Sequence, residues 1–554
     1  MPSGAGSTSL TEYAGPSIST YAQLIALRRQ NRPSSARSTQ LSNERTKIGW
    51  LISSSPLNHR PRASRRISVS RLRPSRNCAG SMSSGRLQCR SMVRKSRKLV
   101  VVSNRGPYRH EASRGRERWV RAAGGLVTAL DPVLQKRGGV WVSAKPAKDF
   151  DSVTVPAPHL EYDLAHVSLK RGEQRGFYEG ISNAVLWPLL HGFEPTIHVG
   201  NAPWSSYVRA NQAFADTTLA TSGPSDLVWI QDYHLMLVPG MLRAARSKAR
   251  IGWFCHIPWP PPDTFSILPW REEILEGLLG ANVLGFHLPE YAEHFRECVA
   301  RFTCHQVSRG TIHYRGRKVK TIAAPIGIPV DELHALAIDP DLEREVDRIR
   351  QATANRQLIL GVDRLDYTKG IPERLAAFER LLRRDKGARR RCALIQVMVP
   401  SRTDVQAYAD LKAEIDRMVG DINGRYAETG CVPIHYVYRN LSQRAIFAHY
   451  RAADVAVVTP LRDGMNLVAH EYAAARTDED GVLILSEFAG AAKHLKGAVL
   501  VNPYDVESTT NAIHQALTMK PSEKRKRMRS MRAEVMRLDV HRWADRYLEA
   551  LEGK

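Results

Sequence analysis

Short apolar runs alternate with longer amphipathic stretches from about residue 98 to residue 540. The runs are almost continuously aliphatic, which is typical of parallel strands covered on both faces. Amphipathic stretches such as Ile371–Arg384 and Val405–Met418 predict the covering helices. The predicted strands are Leu99–Ser103, Gly139–Ser143, Leu227–Gln231, Ile251–His256, Val283–Phe286, Thr321–Ile326, Gln357–Val362, Leu394–Val399, Ile434–Tyr438, Val455–Thr459, Val482–Leu485 and Ala498–Val501.

The strands fall into two sets that are separated near residues 330–355. A chain of 554 residues is too long for one hydrophobic core. Two sets of this kind predict an α/β protein with two doubly wound, Rossmann-like domains that face each other across a cleft. We expect one domain over residues 98–340, a second over 341–535 and a C-terminal helix over 536–554.

The formal net charge of +26 is concentrated at the N-terminus, because residues 1–98 hold nineteen Lys or Arg and only two acidic residues. The Ser-, Arg- and Pro-rich segment 1–97 is predicted to be disordered. Its composition also fits an organelle transit peptide, or weak contact with nucleic acid or anionic lipid. A further interpretation is that the gene start was assigned too early and the protein begins near Met92.

Several classes of protein are disfavoured by what the chain lacks. No apolar run reaches the ~18 residues of a membrane span. The seven cysteines include no C-x-x-C pair, so neither a zinc site nor a disulfide framework is predicted. The basic tail lacks the interleaved aromatic residues that stack on nucleic-acid bases. We expect a cytoplasmic protein without membrane or nucleic-acid partners.

Polar residues in the N-terminal half follow predicted strands, where ligands of doubly wound sheets bind. Arg105 comes after the first strand, and Gly124-Gly125 opens a predicted helix. Paired glycines let the backbone approach a ligand, and an arginine can fork onto a phosphate. Tyr178 and Trp187 stand among polar residues, as in sugar-stacking sites, although Trp187 fits a core position equally well.

Two further strand ends in this half carry groups that can handle sugar hydroxyls or protons. Asp232 ends a buried strand and could accept hydrogen bonds from hydroxyl groups or act as a base. His256 ends a neighbouring predicted strand and is either functional or structural. Both side chains are expected at the same sheet edge, so the functional interpretation is favoured.

The C-terminal half offers two places for phosphate. Arg364 and Lys369 bracket a turn before a predicted helix, which suits a diphosphate, and the glycine spacing is not that of a Walker loop. Arg402 follows another strand and could clamp a second phosphate together with Arg105 and Tyr178. Two phosphate sites in one cleft indicate a nucleotide sugar and a phosphorylated acceptor. No Gly-x-Gly-x-x-Gly follows the first strand, which argues against a dinucleotide dehydrogenase.

The segment from Asp463 to Val468, with Glu471 beyond it, predicts a strand that turns sharply into a helix. Backbone N–H groups at such a turn bind anions, and the Glu471 carboxylate could hold a ribose diol. The alternative is an ordinary helix start with an aspartate cap. The three other polar clusters favour a ligand site.

Over residues 98–540 the chain resembles the trehalose-6-phosphate synthase family. The resemblance rests on motifs in the family's order and spacing: Ser103-Asn104-Arg105, Ser182–Trp187, Asp232-Tyr233-His234, His256-Ile257-Pro258, Arg364-Leu365-Asp366-Tyr367, Lys369-Gly370, Thr459–Val468, Ser486–Gly490 and Asn502-Pro503-Tyr504. It implies a retaining glycosyltransferase with the GT-B fold, which transfers glucose from UDP-glucose to glucose 6-phosphate in trehalose biosynthesis and osmoprotection.

The resemblance also implies site roles. The implied donor site contains Gly124, Gly125, Asp463, Gly464, Met465, Asn466, Leu467, Val468 and Glu471. The implied acceptor site contains Arg105, Tyr178, Trp187, Asp232 and Arg402. The implied catalytic residues are Arg364, Lys369, His256 and Asp232, with the two cations stabilising the departing UDP. A front-face mechanism without metal or cofactor is expected, in which the leaving phosphate helps to deprotonate the acceptor.

The chain departs from the family's pattern at two positions. Ala144 replaces a tryptophan that often borders the acceptor, which leaves open a glucosylglycerol-phosphate synthase that uses ADP-glucose and glycerol 3-phosphate. Asn104, Arg105 and His234 favour the trehalose branch. His470 stands where lysine is usual and is predicted to be a solvated change.

Other implications of the resemblance concern alternatives and partners. A non-catalytic regulator that binds nucleotide sugar is a further alternative, and the donor base could be that of UDP, ADP or GDP. The expected partners are the nucleotide-sugar donor and the sugar-phosphate acceptor, a second copy of the chain in a homo-oligomer, and a separate trehalose-6-phosphate phosphatase that acts on the product.

Overall fold

Two largely parallel sheets organise the chain in the computed structural model, which describes residues 97–113, 116–122, 124–145, 161–195, 197, 201–402 and 405–554. The predicted disordered tail lies outside the described residues up to residue 96, so its alternatives stay predictions. The strands are buried because they consist mainly of aliphatic residues that helices cover on both faces.

The first sheet has nine strands in the order β5-β4-β1-β6-β7-β8-β11-β10-β9, and only its β11–β10 and β10–β9 pairs are antiparallel. A separate antiparallel hairpin consists of β2 and β3. The strands are β1 (Leu99–Val102), β2 (Tyr108–Ser113), β3 (Arg116–Arg121), β4 (Gly139–Ala144), β5 (Tyr162–Val167), β6 (Leu227–Gln231), β7 (Arg250–Phe254), β8 (Val283–Phe286), β9 (Gln306–Ser308), β10 (Thr311–Tyr314) and β11 (Arg317–Ala323).

The second sheet has six strands, all parallel, in the order β14-β13-β12-β15-β16-β17. Both strand orders reverse direction near the middle of the sheet, which is where doubly wound sheets bind ligands. The strands are β12 (Gln357–Arg364), β13 (Cys392–Val399), β14 (Ile434–Tyr438), β15 (Val455–Val458), β16 (Val482–Ser486) and β17 (Val499–Val501).

The helices fall between the strands, as expected of parallel crossover connections. Those up to β12 are α1 (Gly125–Arg137), α2 (Arg171–Gln174), a π-helix (Arg175–Leu186), α3 (Trp187–Leu190), α4 (Asn201–Thr221), α5 (Val238–Ala245), α6 (Pro262–Phe265), α7 (Arg271–Leu278), α8 (Pro289–Phe302), α9 (Val330–Ala337) and α10 (Pro340–Ala352). Those after β12 are α11 (Ile371–Arg384), α12 (Ala388–Arg391), α13 (Gln406–Tyr426), α14 (Gln443–Ala452), α15 (Leu467–Ala475), α16 (Val506–Thr518), α17 (Pro521–Arg537) and α18 (Val540–Glu552). Short 3₁₀ turns occur at Tyr233–Leu235, Tyr367–Lys369 and Gly490–Lys493.

The predicted α/β class is confirmed, and each predicted strand overlaps an observed one. The sequence did not predict the edge strand β5 or the β9–β10 pair, because their residues alternate or are mostly polar and partly exposed. The predicted strand Thr321–Ile326 begins earlier, at Arg317, because its first residues pair antiparallel with β10.

The C-terminal helix α18 packs on the first sheet, although it follows the second sheet in sequence. The Tyr547 hydroxyl donates to the backbone carbonyls of Trp253 and Val283, both at 3.0 Å. Trp229 stacks on the Tyr547 ring with centroids 4.7 Å apart. A Cβ at Gly252 would collide with that ring, so this glycine makes room for the helix.

The predicted domain boundaries at 98–340, 341–535 and 536–554 stay a prediction.

Within the described ranges, no helix combines the length and apolar character that crossing a membrane requires.

Candidate active site

The loops at the strand ends of the two sheets touch each other. A Cβ at Gly464 would collide with the backbone carbonyl of His256. A Cβ at Gly125 would lie 3.1 Å from the Leu467 side chain. The Tyr291 hydroxyl donates to the Asp463 carbonyl at 3.5 Å. These contacts close one cleft between β6 and β7 on one side and β12 and β15 on the other.

The centre of the cleft holds a buried ion pair. Arg402 Nη1 lies 2.9 Å from Asp366 Oδ2, and the two side chains are 4% and 0% exposed. Thr368 donates to the same carboxylate through its backbone N–H at 3.1 Å and its hydroxyl at 3.0 Å. Burial raises the pKa of Asp366, but the nearby Arg402, Arg364 and Lys369 outweigh it and hold that pKa below its usual value. Asp366 is therefore a carboxylate that orients Arg402.

The Arg402 guanidinium is enclosed by aromatic side chains. It lies 4.2 Å from the centre of the Trp187 ring, which is a cation–π contact. It donates to the Tyr233 hydroxyl at 3.3 Å and to the Tyr408 hydroxyl. Its Nε is buried without a protein partner among the described residues. An unsatisfied buried donor is costly, so this N–H is available to a ligand.

Arg105 and Tyr178 extend this cluster toward the first sheet. Arg105 donates to the Tyr178 hydroxyl, and the Tyr178 ring stacks on His234 at 5.9 Å. Burial raises the pKa of Tyr178, yet Arg105 and Arg402 together lower it below its usual value. Burial, followed by the same two arginines, lowers the pKa of His234 well below its ordinary value, so this imidazole is neutral. The Tyr178 hydroxyl thus lies in a strongly positive field.

Tyr178 and Trp187 share one side of the cleft because the helix between them is wound as a π-helix. The Trp187 backbone N–H bonds to the Ser182 carbonyl, five residues back, as in a π-helix. The side-chain amide of Asn183 donates to the Tyr178 carbonyl at 2.8 Å and adds a further bond within this helix. In an α-helix at ~100° per residue, nine residues make about two and a half turns, which would place these side chains on opposite sides. The wider π winding makes about two turns, so both reach the Arg402 cluster.

Arg364 also lies over the Trp187 ring, with its guanidinium 5.8 Å from the ring centre. Trp187 therefore touches both Arg364 and Arg402. In the described part of the chain, neither Arg105 nor Arg364 forms an ion pair with a carboxylate. Two uncompensated guanidinium groups at one cleft make it suitable for anionic ligands.

Lys369 has a partner in the second loop of the same domain. Its Nζ lies 2.6 Å from Asp463 Oδ2, and Asn466 donates to that oxygen at 3.0 Å. Burial raises the pKa of Asp463, but Lys369 outweighs it and keeps the pKa below its usual value. The Asp463 backbone bonds with Phe488 and Gly490, at 3.2 Å each. The loop is therefore preformed, and part of the Lys369 charge is neutralised by Asp463.

The turn into helix α15 is capped by Asn466 and not by Asp463. Asn466 has a left-handed backbone with φ of 75°, and its side chain accepts from the Ala469 N–H at 3.4 Å. The alternative of an aspartate cap is therefore wrong. Met465 is buried under the turn, and Val468 packs against the core.

Glu471 is the middle residue of helix α15. The Tyr450 hydroxyl donates to its carboxylate at 2.9 Å. Burial raises the pKa of Glu471 to about 7, and the hydrogen bond from Tyr450 only partly offsets the rise. The negative charge of the Glu471 carboxylate is thus only partly stabilised, and hydrogen bonds from ligand hydroxyl groups would stabilise it further.

Asp232 and His256 meet at the ends of β6 and β7. The His256 N–H donates to Asp232 Oδ1 at 3.3 Å, and Asp232 has a left-handed backbone with φ of 71°. Burial raises the pKa of Asp232 to about 6, partly offset by backbone hydrogen bonds and by Arg364 and Arg402. Arg402 and Asn466 also have positive φ values, of 49° and 75°. Strained backbone of this kind concentrates at functional sites.

Residues 97–553 match the family model for glycosyltransferase family 20. The chain belongs to glycosyltransferase family 20. It is 44% identical over 468 residues to the trehalose-6-phosphate synthase of Mycobacterium ulcerans, covering 82% of this chain and 93% of that protein. It is 43% identical over 476 residues to that of Mycobacterium tuberculosis, with coverages of 82% and 94%.

Solved structures are similar in sequence and in fold. The UDP-forming α,α-trehalose-phosphate synthase of Burkholderia xenovorans, in complex with glucose-6-phosphate, is 34% identical with a TM-score of 0.75, covering 82% of this chain and 100% of that one. An Escherichia coli structure bound with UDP-2-fluoro glucose is 34% identical with a TM-score of 0.74, covering 82% and 98%. These similarities confirm the predicted GT-B fold and the family.

The site is also supported by residues that the sequence analysis did not assign to it. One is Arg374, whose guanidinium pairs with Asp363 at 2.6 Å and donates to Gln396 and Thr459, both at 3.1 Å. This fully buried network packs against the loops that carry Arg364 and Lys369 and stabilises them. Nothing distinguishes Arg374 from a solvated helix residue in the sequence. Tyr233 and Tyr450 were missed because their partners, Arg402 and Glu471, are 169 and 21 residues away in the chain, and Tyr408 was missed although it lies only six residues after Arg402.

Of the two departures from the family's pattern, the structure contradicts the prediction for His470 and does not test the one for Ala144. His470 is fully buried in helix α15, and its Nδ1 lies 3.4 Å from the Asn466 carbonyl, so the prediction of a solvated change is wrong. Burial lowers the pKa of His470 to about 4, which allows a neutral imidazole where a charged lysine would be costly. Ala144 ends β4 and is partly buried, and its effect on the acceptor stays a prediction.

Proposed function

We propose that this protein is a retaining glucosyltransferase that moves glucose from UDP-glucose to glucose 6-phosphate, which forms α,α-trehalose 6-phosphate and UDP. The observation that carries the proposal is that the Trp187 ring contacts two guanidinium groups, those of Arg364 at 5.8 Å and Arg402 at 4.2 Å from its centre. Each guanidinium belongs to a different group of phosphate-binding side chains. Two phosphorylated substrates can therefore bind next to each other in one cleft.

On the donor side, Arg364 and Lys369 bind the diphosphate and stabilise the charge that develops on departing UDP. Asp463 and the backbone from Gly464 to Leu467 hold the glucose and phosphate, together with Gly124 and with Gly125, which faces Leu467 across the cleft. Glu471 accepts hydrogen bonds from the ribose diol. These hydroxyl donors would lower the pKa of Glu471, which burial raises in the unliganded structure.

On the acceptor side, Arg105, Tyr178 and Arg402 clamp the phosphate of glucose 6-phosphate, and Trp187 lines the pocket. Tyr178 fits this role because its hydroxyl already lies between two guanidinium groups, where phosphate oxygens would accept from the same donors. Asp232 accepts from acceptor hydroxyls. Its pKa of about 6 leaves it ionised at neutral pH.

The transfer breaks the bond between the anomeric carbon of glucose and the β-phosphate oxygen of UDP. A hydroxyl oxygen of glucose 6-phosphate forms the new bond on the same face, and its proton goes to the leaving phosphate oxygen. Arg364 and Lys369 neutralise that phosphate, and His256 contacts the transferred glucose. No protein nucleophile is required in this front-face scheme.

The substrates named for the structural relatives are consistent with this pair. The Burkholderia xenovorans protein is UDP-forming and binds glucose-6-phosphate, and the Escherichia coli structure holds UDP-2-fluoro glucose. The mycobacterial relatives carry the same function in their names. A glucosylglycerol-phosphate synthase, the alternative raised by Ala144, has no comparable support.

Product analysis tests the proposal. Purified protein is incubated with UDP-, ADP- or GDP-glucose and either glucose 6-phosphate or glycerol 3-phosphate, and products are identified by mass spectrometry and NMR. We expect trehalose 6-phosphate with retained α configuration, formed fastest from UDP-glucose. A dominant product from glycerol 3-phosphate would replace the proposal with the alternative. Nucleotide-sugar binding without any product would favour a regulator.

We further propose a cytoplasmic homo-oligomer whose product passes to a separate trehalose-6-phosphate phosphatase. The domain division at residues 340 and 535 belongs to the same proposal. Size-exclusion chromatography with light scattering tests the oligomer, and a chain starting at Met92 with full activity would show that residues 1–91 are dispensable for catalysis.

A further inference from the structure

Gln231 is a fully buried polar residue at the end of β6, directly before Asp232. Its Nε2 donates to the backbone carbonyl of Trp229 at 3.2 Å. Its Oε1 lies 2.9 Å from His256 Nε2. The amide therefore joins the strand to the imidazole of a residue that we place at the transferred glucose.

The orientation of this amide follows from its surroundings. If it were reversed, Oε1 would face the Trp229 carbonyl, and two acceptors without a hydrogen between them repel each other. Because Nε2 donates to the Trp229 carbonyl, Oε1 faces the His256 ring and can only accept a hydrogen bond from it. His256 Nε2 must then carry the hydrogen, because otherwise two lone pairs would meet at 2.9 Å.

The rest of the ring's environment favours a neutral imidazole. Its neighbours are Phe254, His287 and Trp543, with centroids 4.9, 5.5 and 6.0 Å away. Burial, and then the neighbouring His287, lower the pKa of His256 well below its usual value. Burial also lowers the pKa of His287 to about 3. The Asp232 carboxylate accepts a hydrogen bond from the backbone N–H of His256.

We propose that Gln231 is a positioning residue that holds His256 as the neutral Nε2–H tautomer, so that Nδ1 can only accept a hydrogen bond. This proposal rests on the proposed function, because it assumes that the His256 ring meets the donor glucose. The sugar must then offer a hydroxyl hydrogen to Nδ1. A fixed tautomer orients the glucose without any proton leaving the histidine during transfer.

The first test measures the tautomer of His256 directly by NMR. The full-length protein is labelled with ¹⁵N-histidine, and the His256 signals are assigned by their loss in His256→Asn. We expect a protonated Nε2 and an unprotonated Nδ1 in the wild-type protein at neutral pH. A protonated Nδ1 would overturn the proposal. This measurement needs no activity, so it stands even if the proposed transferase reaction fails.

The second test removes the acceptor while keeping the volume of the side chain. In Gln231→Met, we expect the Nε2–H signature to be lost or averaged and kcat to fall about tenfold, the scale of one hydrogen bond. The KM for glucose 6-phosphate should not change, because the acceptor clamp does not touch Gln231. An unchanged tautomer and unchanged kcat in a folded variant would overturn the proposal.

A matched control separates this role from the general cost of losing a buried amide. Gln396 is also a fully buried strand glutamine, but its amide contacts Arg374 and backbone carbonyls. Gln396→Met should lower the melting temperature and leave the His256 tautomer unchanged. If Gln396→Met changed the tautomer as much as Gln231→Met does, the effect would be global and the positioning role would be wrong.

Discussion

The proposed donor and acceptor sides of the cleft are built differently. The proposed donor side takes its charged groups from two continuous segments next to the second sheet, Asp363–Gly370 and Asp463–Glu471, which follow strands. The acceptor side combines Arg105, the π-helix Arg175–Leu186 and Arg402, which come from widely separated places in the chain. A local loop can be recognised by its motif, but an assembled cluster exists only in the folded protein.

The two proposed sides also differ in what their arginines contact. On the acceptor side, Arg402 is almost fully buried and paired with Asp366, and Arg105 donates to the Tyr178 hydroxyl. On the donor side, Lys369 is paired with Asp463, and Arg364 lies over the Trp187 ring without a carboxylate partner among the described residues. We infer that the acceptor residues act mainly through a preorganised binding site, whereas the charge of Arg364 is available to the leaving group.

Replacing the unpaired donor-side arginine should have the largest effect. Arg364→Ala is expected to lower kcat about 10³-fold, because one charge that stabilises the leaving diphosphate is lost. Steady-state release of UDP measures it. Arg417→Ala, which breaks a surface pair with Asp421 of 2.9 Å on helix α13, is the matched control and should retain full activity. A kcat within tenfold of wild type would contradict the role of Arg364.

The network below the donor loops should dominate stability. Arg374→Met leaves Asp363 buried without its counter-charge, and we expect the free energy of unfolding to fall by about 3–5 kcal/mol. Urea unfolding measures the loss. The double variant Arg374→Met with Asp363→Leu removes both charges and should recover much of it. Equal losses in the single and double variants would show that the pairing is not the cause.

On the acceptor side, Arg402→Ala should raise the KM for glucose 6-phosphate about 100-fold and change kcat less, because a phosphate contact is lost. It also leaves Asp366 unpaired, with an expected loss of about 3 kcal/mol in stability. Adding Asp366→Asn should restore stability without restoring acceptor affinity. If acceptor affinity is untouched in Arg402→Ala, the phosphate clamp is misplaced.

Shortening the π-helix tests whether its winding aligns the acceptor side chains. Deletion of Ala184, which is only partly buried, rotates Tyr178 relative to Trp187 by about a quarter turn. We expect the KM for glucose 6-phosphate to rise roughly thirtyfold, while UDP-glucose affinity stays near wild type. Ala184→Gly keeps the length and should have little effect. Equal effects of deletion and substitution would contradict the alignment argument.

The smallest effect concerns the pH dependence of stability on the donor side. The folded-state pKa of Glu471 is about 7, above the ~4.3 of an exposed glutamate. The folded protein therefore binds a proton that the unfolded chain releases, and stability falls as pH rises from about 4.3 to 7.

Glu471→Gln removes this titration, so its stability relative to wild type should increase by about 1–2 kcal/mol between pH 5 and pH 8. Urea unfolding across that range measures the difference. Tyr450→Phe removes the hydroxyl that stabilises the carboxylate and should make the wild-type trend steeper. A constant difference at every pH would show that Glu471 is not the titrating group.

Features that depend on neighbouring residues were predicted from the sequence, whereas features assembled from distant segments were not. The buried strands were predicted well, since continuous aliphatic runs have few alternatives. The exposed edge strands such as β5 were not, because a partly polar strand has no distinctive pattern. The sequence-predicted site residues lie around one cleft, while their individual roles stay predictions. Asp366 and Arg374 were missed because an ion pair in the core depends on residues that meet only after folding.

The amino-acid sequence by itself determined the two parallel sheets, the family and the short motifs at the strand ends, because these depend on local composition and spacing. Only the tertiary structure decided that Arg402 pairs with Asp366, that a π-helix aligns Tyr178 with Trp187, and that the Gln231 amide meets the His256 imidazole. The physical reason is that hydrogen bonds and ion pairs act over a few ångströms, and only folding brings distant parts of the chain to that separation.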